Sequence, residues 1–323
     1  MKKKSALKTK PTKKNAVLLT MTILGLCVWS AVPRAAGCIQ TTSWNDGTAS
    51  WFDPTKWSNG VPNSSKDAFI NNGGTANINS TGATACNLIL GYNATQSGNV
   101  SVNGGSLAVT NEVEVGAYGK GKLTITNGAT VSAGLLTIAA LQGNPSSSGT
   151  VTVDGATFTI TGRTDVGGDN GTPGGVGLMT VVNGGSVIST AGYLRVYSSG
   201  TLTGNGAVST SNGTTVDGTI KPNGTLTIGG DLTFASGGAM QCNVTQSSWD
   251  RAEVSGTATL GGRLSVTMTG TFTTPADFPL LHASGLLLTF SSFSVTYPGC
   301  LAPSIVYDYV HGCVYLHVES TCQ

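Results

Sequence analysis

The chain has 323 residues, 46 of them Gly, and only 10% are charged. So sparse a charge excludes disorder driven by self-repulsion, and Gly at about twice ordinary usage, with Thr, Ser and Asn between evenly spread Val, Leu and Ile, is the composition of a turn-rich β protein. The net charge of +2 averages two unlike parts: eight of the 17 Lys and Arg precede Cys38 and none of the 15 Asp and Glu does, so nine bases face 15 acids afterwards, without the basic clusters that nucleic-acid binding requires.

Residues 1–37 read as a secretory signal: a basic stretch over 1–15, an apolar run over 16–32, and the small residues Ala35, Ala36 and Gly37 before Cys38. Cleavage is expected between Gly37 and Cys38. A retained anchor and a lipid on Cys38 are the alternatives, because Ala-Ala-Gly-Cys is also similar to a lipoprotein box, although Pro33 and Arg34 separate it from the apolar run. The remaining chain carries Cys38, Cys86, Cys242, Cys300, Cys313 and Cys322. An even number in an exported protein suggests disulfides, and six allow fifteen connectivities. Proximity favours Cys38 with Cys86 and Cys300 with Cys313, leaving Cys242 with Cys322. None has the spacing of a redox or zinc motif.

Residues 38–72 hold Trp44, Trp51 and Trp57 among turn residues and read as an N-terminal cap over an open apolar end, in preference to an aromatic platform for sugar. After a degenerate unit over 73–86, four segments beginning at Asn87, Asn111, Leu135 and Arg163 superimpose with periods of 24, 24, 28 and 28 residues. Each runs aliphatic-x-aliphatic, usually Gly, a polar loop, Gly, aliphatic-x-aliphatic, Asn-Gly or Asp-Gly, and aliphatic-x-aliphatic again. A fixed period in this range marks a repeat architecture. Within it, alternation predicts an inward set of Leu88, Leu90, Val100, Val102, Leu107 and Val109, then Val113, Val115, Leu123, Ile125 and Val131, and in the last unit Val166, Leu178, Val187 and part of the run 179–182. Asn103, Asn127, Asp154 and Asn183, each followed by Gly, signal hairpins in isolation. Recurring once per three-strand unit, they fit the corners of a parallel solenoid, where Asn can stack in a ladder. The extra residues of the last two units fall in the loops 141–148 and 168–176, which read first as exposed Gly/Ser/Pro loops under neutral drift and, as the alternative, as a binding face.

Residues 191–271 continue more loosely. The phrases GTLTGNGAV, TIKPNGTLTIGGDLTF and DRAEVSGTATLGGRLSV resemble the C-terminal part of bacterial autotransporter passenger domains and the related autotransporter-associated β-strand repeat proteins. That resemblance covers about residues 57–266 and implies a right-handed parallel β-helix exported to the cell surface. The chain departs from it in having 57 residues after Val266 and no C-terminal translocator barrel, so it is not expected to translocate itself. The fold expected is therefore all-β, a right-handed parallel β-helix over 73–271, capped by 38–72 and by the cysteine-bearing segment 272–323.

Catalysis needs convergent groups, such as paired carboxylates or acidic Ca²⁺ ligands with a base. Asp165 and Asp169 are the nearest acidic pair within the repeats, with Arg163 and Arg195 on neighbouring turns; they read as exposed loop charges, and Glu112 and Glu114 as solvent-facing strand residues. His311 and His317, six apart, would share a face of one continuous strand, and with His282 they lack metal-motif spacing. The stretch 168–177 (GDNGTPGGVG) has neither the Lys nor the helix of a phosphate loop. No catalytic residue, metal or cofactor is expected. The function expected is a secreted, non-enzymatic scaffold or adhesin whose partners are surface glycans or matrix proteins. The alternative is a carbohydrate-active enzyme or sugar-binding module with Trp249, Tyr193 or Tyr197 beside aspartates.

Overall fold

Alternating aliphatic and hydroxyl residues cannot bury an apolar face within one short unit, so successive units stack. The computed structural model, which describes residues 38–140 and 147–321, is all-β: a parallel β-solenoid of about ten turns with almost no helix. The segment 1–37 with its expected signal, most of the loop 141–148, and Cys322 lie outside the described residues.

Each turn contributes three strands. The longest form one eleven-stranded sheet, represented by Ser97–Asn103, Lys120–Thr126, Ser148–Asp154 and Val176–Val182, all parallel and in register. The other two strands of each turn, such as Ser106–Val109 and Glu112–Val115, form two parallel ranks of a twenty-stranded sheet. Inward positions stack into columns; one runs Val100, Leu123, Val151, Met179, Leu202, Ile220, Met240, Leu264 and Phe293. The predicted inward residues are buried, with one correction. Met179 and Val181 are fully buried, whereas Leu178 faces outward, because register with Val151 and Val153 fixes which alternate residues point in.

Two corners set the shape. At the first, Asn127 and Asn183 adopt left-handed backbone, with φ of 57° and 52°. Their side chains form the expected ladder: Asn127 Nδ2 donates to Asn103 Oδ1 at 2.6 Å, and Asn183 Nδ2 to Asp154 Oδ1 at 2.8 Å. The other corner follows the strand Glu112–Val115 and its equivalents, where Gly91, Gly116, Ala139 and Gly167 all have positive φ. Beyond it, Gly98, Gly121, Gly149, Gly177 and Gly200 align in one column. A Cβ on any of them would overlap backbone atoms of the adjoining corner, such as the Val115 carbonyl oxygen beside Gly149.

At the N-terminal end Trp44, Trp51 and Trp57 are buried, their rings edge-to-face with centroids 4.9 Å apart in both pairs, and Trp57 Nε1 donates to the Trp51 carbonyl at 2.7 Å. Buried rings close the core and offer no platform to a ligand. At the other end the parallel ladder continues past residue 271, through Ala276–Leu287 and Ser292–Thr296. An antiparallel hairpin, Leu301–Asp308 with Cys313–Ser320, then lies against 276–282.

The cysteines divide differently from the expected pairing. Cys38 and Cys86 are bonded, with Cα atoms 5.7 Å apart. Cys300 is bonded to a partner outside the described residues, and Cys242 and Cys313 are free buried thiols. Cys313 opposes Asp308 at one end of the hairpin while Cys300 precedes Leu301 at the other. That ladder spans roughly 20 Å, far beyond the ~7 Å a disulfide tolerates. Cys242 stacks on Val266 inside the coil, where burial pushes its thiol up.

Two substitutions test the corners. Gly149→Ala is expected to cost at least ~2–3 kcal/mol, because the methyl group meets backbone that cannot rotate away. Ala139→Gly, at φ 57°, is expected to gain about 1 kcal/mol by relieving left-handed strain. Denaturant unfolding measures both.

Candidate functional site

The strands Glu112–Val115, Leu135–Ile138, Thr164–Val166 and Leu194–Val196 form neighbouring turns of one rank. Their outward positions stack as Glu114, Thr137, Asp165 and Arg195. An outward column on a solenoid is ordinarily wet, but Asp165 is fully buried. The lengthened loop causes this. Asp169-Asn170-Gly171-Thr172 forms a two-residue hairpin, with φ of 43° at Asn170 and 92° at Gly171. The hairpin is folded back onto the column.

Every oxygen of Asp165 is engaged. Arg163 Nε donates to Oδ2 at 2.7 Å, the Asn170 N–H to the same oxygen at 3.1 Å, and the Tyr197 hydroxyl to Oδ1 at 3.2 Å. Arg163 Nη2 reaches Asp169 Oδ1 at 2.7 Å, so one guanidinium clamps the strand carboxylate and the loop carboxylate together. The Gly171 N–H donates to the Tyr197 hydroxyl at 2.7 Å. The Arg195 guanidinium lies 4.8 Å from the centre of the Tyr197 ring and bonds Asp217 at 2.8 Å.

Burial pushes the Asp165 carboxyl above the ordinary aspartate value, against the pull of the Asn170 amide and Arg163. Glu112 is raised too, first by burial, while the Thr137 hydroxyl bonded to it at 2.6 Å lowers it and Asp169 adds repulsion. Burial also raises the Tyr197 and Tyr193 phenols. Asp165, Asp169, Arg163 and Arg195 are thus brought together as the turn spacing suggested, but as a bonded, partly buried network around the fully buried Asp165, which corrects the reading of them as loose surface charges. The reading of Glu112 as solvent-facing is likewise corrected. It sits at an outward register position but is half-buried there, with the Thr137 hydroxyl on its carboxylate. Nothing in the alternation of Glu112 and Glu114 reveals that.

Other expected candidates lie elsewhere. Trp249 packs against Phe278 at 5.7 Å. His311 precedes the strand Cys313–Ser320 that carries His317, so the two do not share one strand. His311 pairs with Asp308 at 2.6 Å, and His317 with Asp277 at 2.6 Å, which raises the His317 imidazole. Cys38, Cys86 and Asp67 cluster within 4.8 Å, but the sulfurs are bonded to each other, and Asn87 Nδ2 donates to Asp67 at 2.7 Å. No protein-family model matches the chain, and no curated protein matches it either.

Two outcomes are expected. Arg163→Ala strands the buried Asp165 and should cost about 3–5 kcal/mol, with faster amide exchange at Asn170 and Gly171. For Glu112, whose folded value lies above its unfolded one, the contribution favours the folded state below the ordinary glutamate value and is lost as pH rises through the raised one. Glu112→Gln keeps an acceptor for Thr137. Its stability relative to wild type should therefore grow between about pH 4 and pH 7, measured by unfolding at each pH.

Proposed function

We propose that this chain is an exported, non-enzymatic β-solenoid of the bacterial cell surface or extracellular matrix, acting as a scaffold or adhesin. The observation that carries this reading is the saturation of the charged cluster around Asp165: both oxygens of Asp165 and the guanidinium of Arg163 are spent on fastening a loop. A general acid or nucleophile needs an oxygen within reach of substrate. The Cys38–Cys86 disulfide fits an oxidising compartment. It also occupies the sulfur that a lipid on Cys38 would need. Among the described residues no helix is long and apolar enough to cross a membrane.

A second reading keeps a specific observation in its favour. Tyr197 touches Asp165, Tyr193 lies close enough for that carboxylate to raise its phenol, and the carboxyls of Glu112 and Asp165 are both raised, as in a carbohydrate-active site. Cell fractionation with a glycan array and a polysaccharide-cleavage assay separates the two. Recovery in the surface or secreted fraction without cleavage is the expected result. Cleavage lost in Asp169→Asn, whose carboxylate is more accessible than the fully buried one of Asp165, would overturn it.

A further inference from the structure

The C-terminal end of the solenoid is closed on one side only. The hairpin 301–320 buries Val314, Leu316 and Val318 against Ala276–Leu287. The strand Ser292–Thr296 is the last of the eleven-stranded sheet and, among the described residues, pairs only with Arg263–Met268. Phe293 continues the inward column below Leu264, yet it is 53% exposed, with no further turn over it among the described residues. Leu288, Tyr297, Val306, Tyr309 and Val310 are also exposed, and the Tyr309 hydroxyl on the Leu288 carbonyl ties the hairpin side to the corner of the last turn. Natural sheets guard such an edge with charge or proline. Here no charged residue occurs between His282 and Asp308.

We infer that the edge Ser292–Thr296 pairs with the same edge of a second copy of this chain, giving a two-fold, end-to-end dimer. The sequence of the strand suits such pairing. Antiparallel pairing centred on Ser294 sets Ser292 opposite Thr296, and Phe293 opposite Val295 of the other copy. Both inward residues then face their counterparts, and the two open cores become one. A two-fold contact is self-complementary, so the patch must tolerate itself; Ser292–Thr296 at its centre has no like charges to oppose, and the nearby Asp308 and His311 pair with each other. The six side chains named carry on the order of 600 Å² of exposed apolar surface per copy at ~150–200 Å² each. That is near the ~800 Å² per partner of a standard interface before backbone and polar atoms are counted.

The test is the mass in solution of the compact unit Ala35–Gln323, which contains the whole described core. Light scattering coupled to gel filtration is expected to give twice the chain mass at micromolar concentration. Phe293→Glu should halve it with an unchanged circular dichroism spectrum, while Ile39→Glu, an exposed apolar residue at the opposite end, should leave it doubled. Ser294→Cys brings two thiols onto the two-fold axis, where opposed Cα atoms lie about 4.5–5.5 Å apart, and should yield a disulfide-linked dimer on oxidation. This keeps the inference testable should Phe293→Glu not fold. A monomeric wild type without Ser294→Cys cross-linking, or a mass that climbs into open polymers, would overturn it.

Discussion

Five glycines stacked in register, Gly98, Gly121, Gly149, Gly177 and Gly200, let the long strands of one face start against the corner that closes the face before. With no Cβ there, backbone meets backbone, and the cross-section is small enough for single Val, Leu and Ile side chains to fill it. The same column limits where the chain can vary. A strand that slipped by one residue would carry its glycine out of the column and turn its aliphatic residues to solvent. Extra residues fit only between the left-handed corner and the column glycine, where the path already leaves the ladder. The two longer units place their additions there.

The charged network follows from that placement. An insertion at this corner projects over the outward rank of the same and neighbouring turns, so the loop 168–176 comes down on Asp165. A carboxylate covered in this way destabilises the fold unless its hydrogen bonds and charge are met. Arg163, the Asn170 amide and Tyr197 meet them, and the Asn-Gly hairpin supplies the backbone shape that aims the Asn170 and Gly171 amides inward. The Gly-rich loop 168–176 is therefore a tied structure, fastened to the charges beneath it.

The sequence carried the fold well because the period, the Asn-Gly corners and the alternation report the same geometry. The inward positions from Leu88 to Val131 follow from period two alone. Leu178 was harder: in Val176–Val182 apolar residues occur at both parities, so only pairing with the neighbouring strand decides that Met179 and Val181 point in. Asp165 and Glu112 were harder still. Their outward register is legible, but the burial of Asp165 depends on how the loop that follows it folds back, and the half-burial of Glu112 on its neighbours. Of the cysteine pairings, Cys38 with Cys86 held, and the other two failed for a related reason. Nearness in sequence set Cys300 beside Cys313, whereas a hairpin places the start of one strand far from the start of the next.

The two ends of the coil solve one problem by different means. At the N-terminus three Trp rings lie over the core, and the disulfide closing a 48-residue span removes chain entropy worth on the order of 4 kcal/mol from the unfolded state. A solenoid's stability is roughly a sum of nearest-neighbour contacts, so its terminal turns, having one neighbour each, open first. The N-terminal turn is compensated by covalent and aromatic closure. At the C-terminus the hairpin covers the rank ending in Ala276–Leu287, but the column that runs from Val100 ends on Phe293. Among the described strands, that turn keeps one neighbour and an unpaired edge, so reduced support and exposed apolar surface fall on the same turn. Whatever covers Phe293 therefore acts on stability and association together.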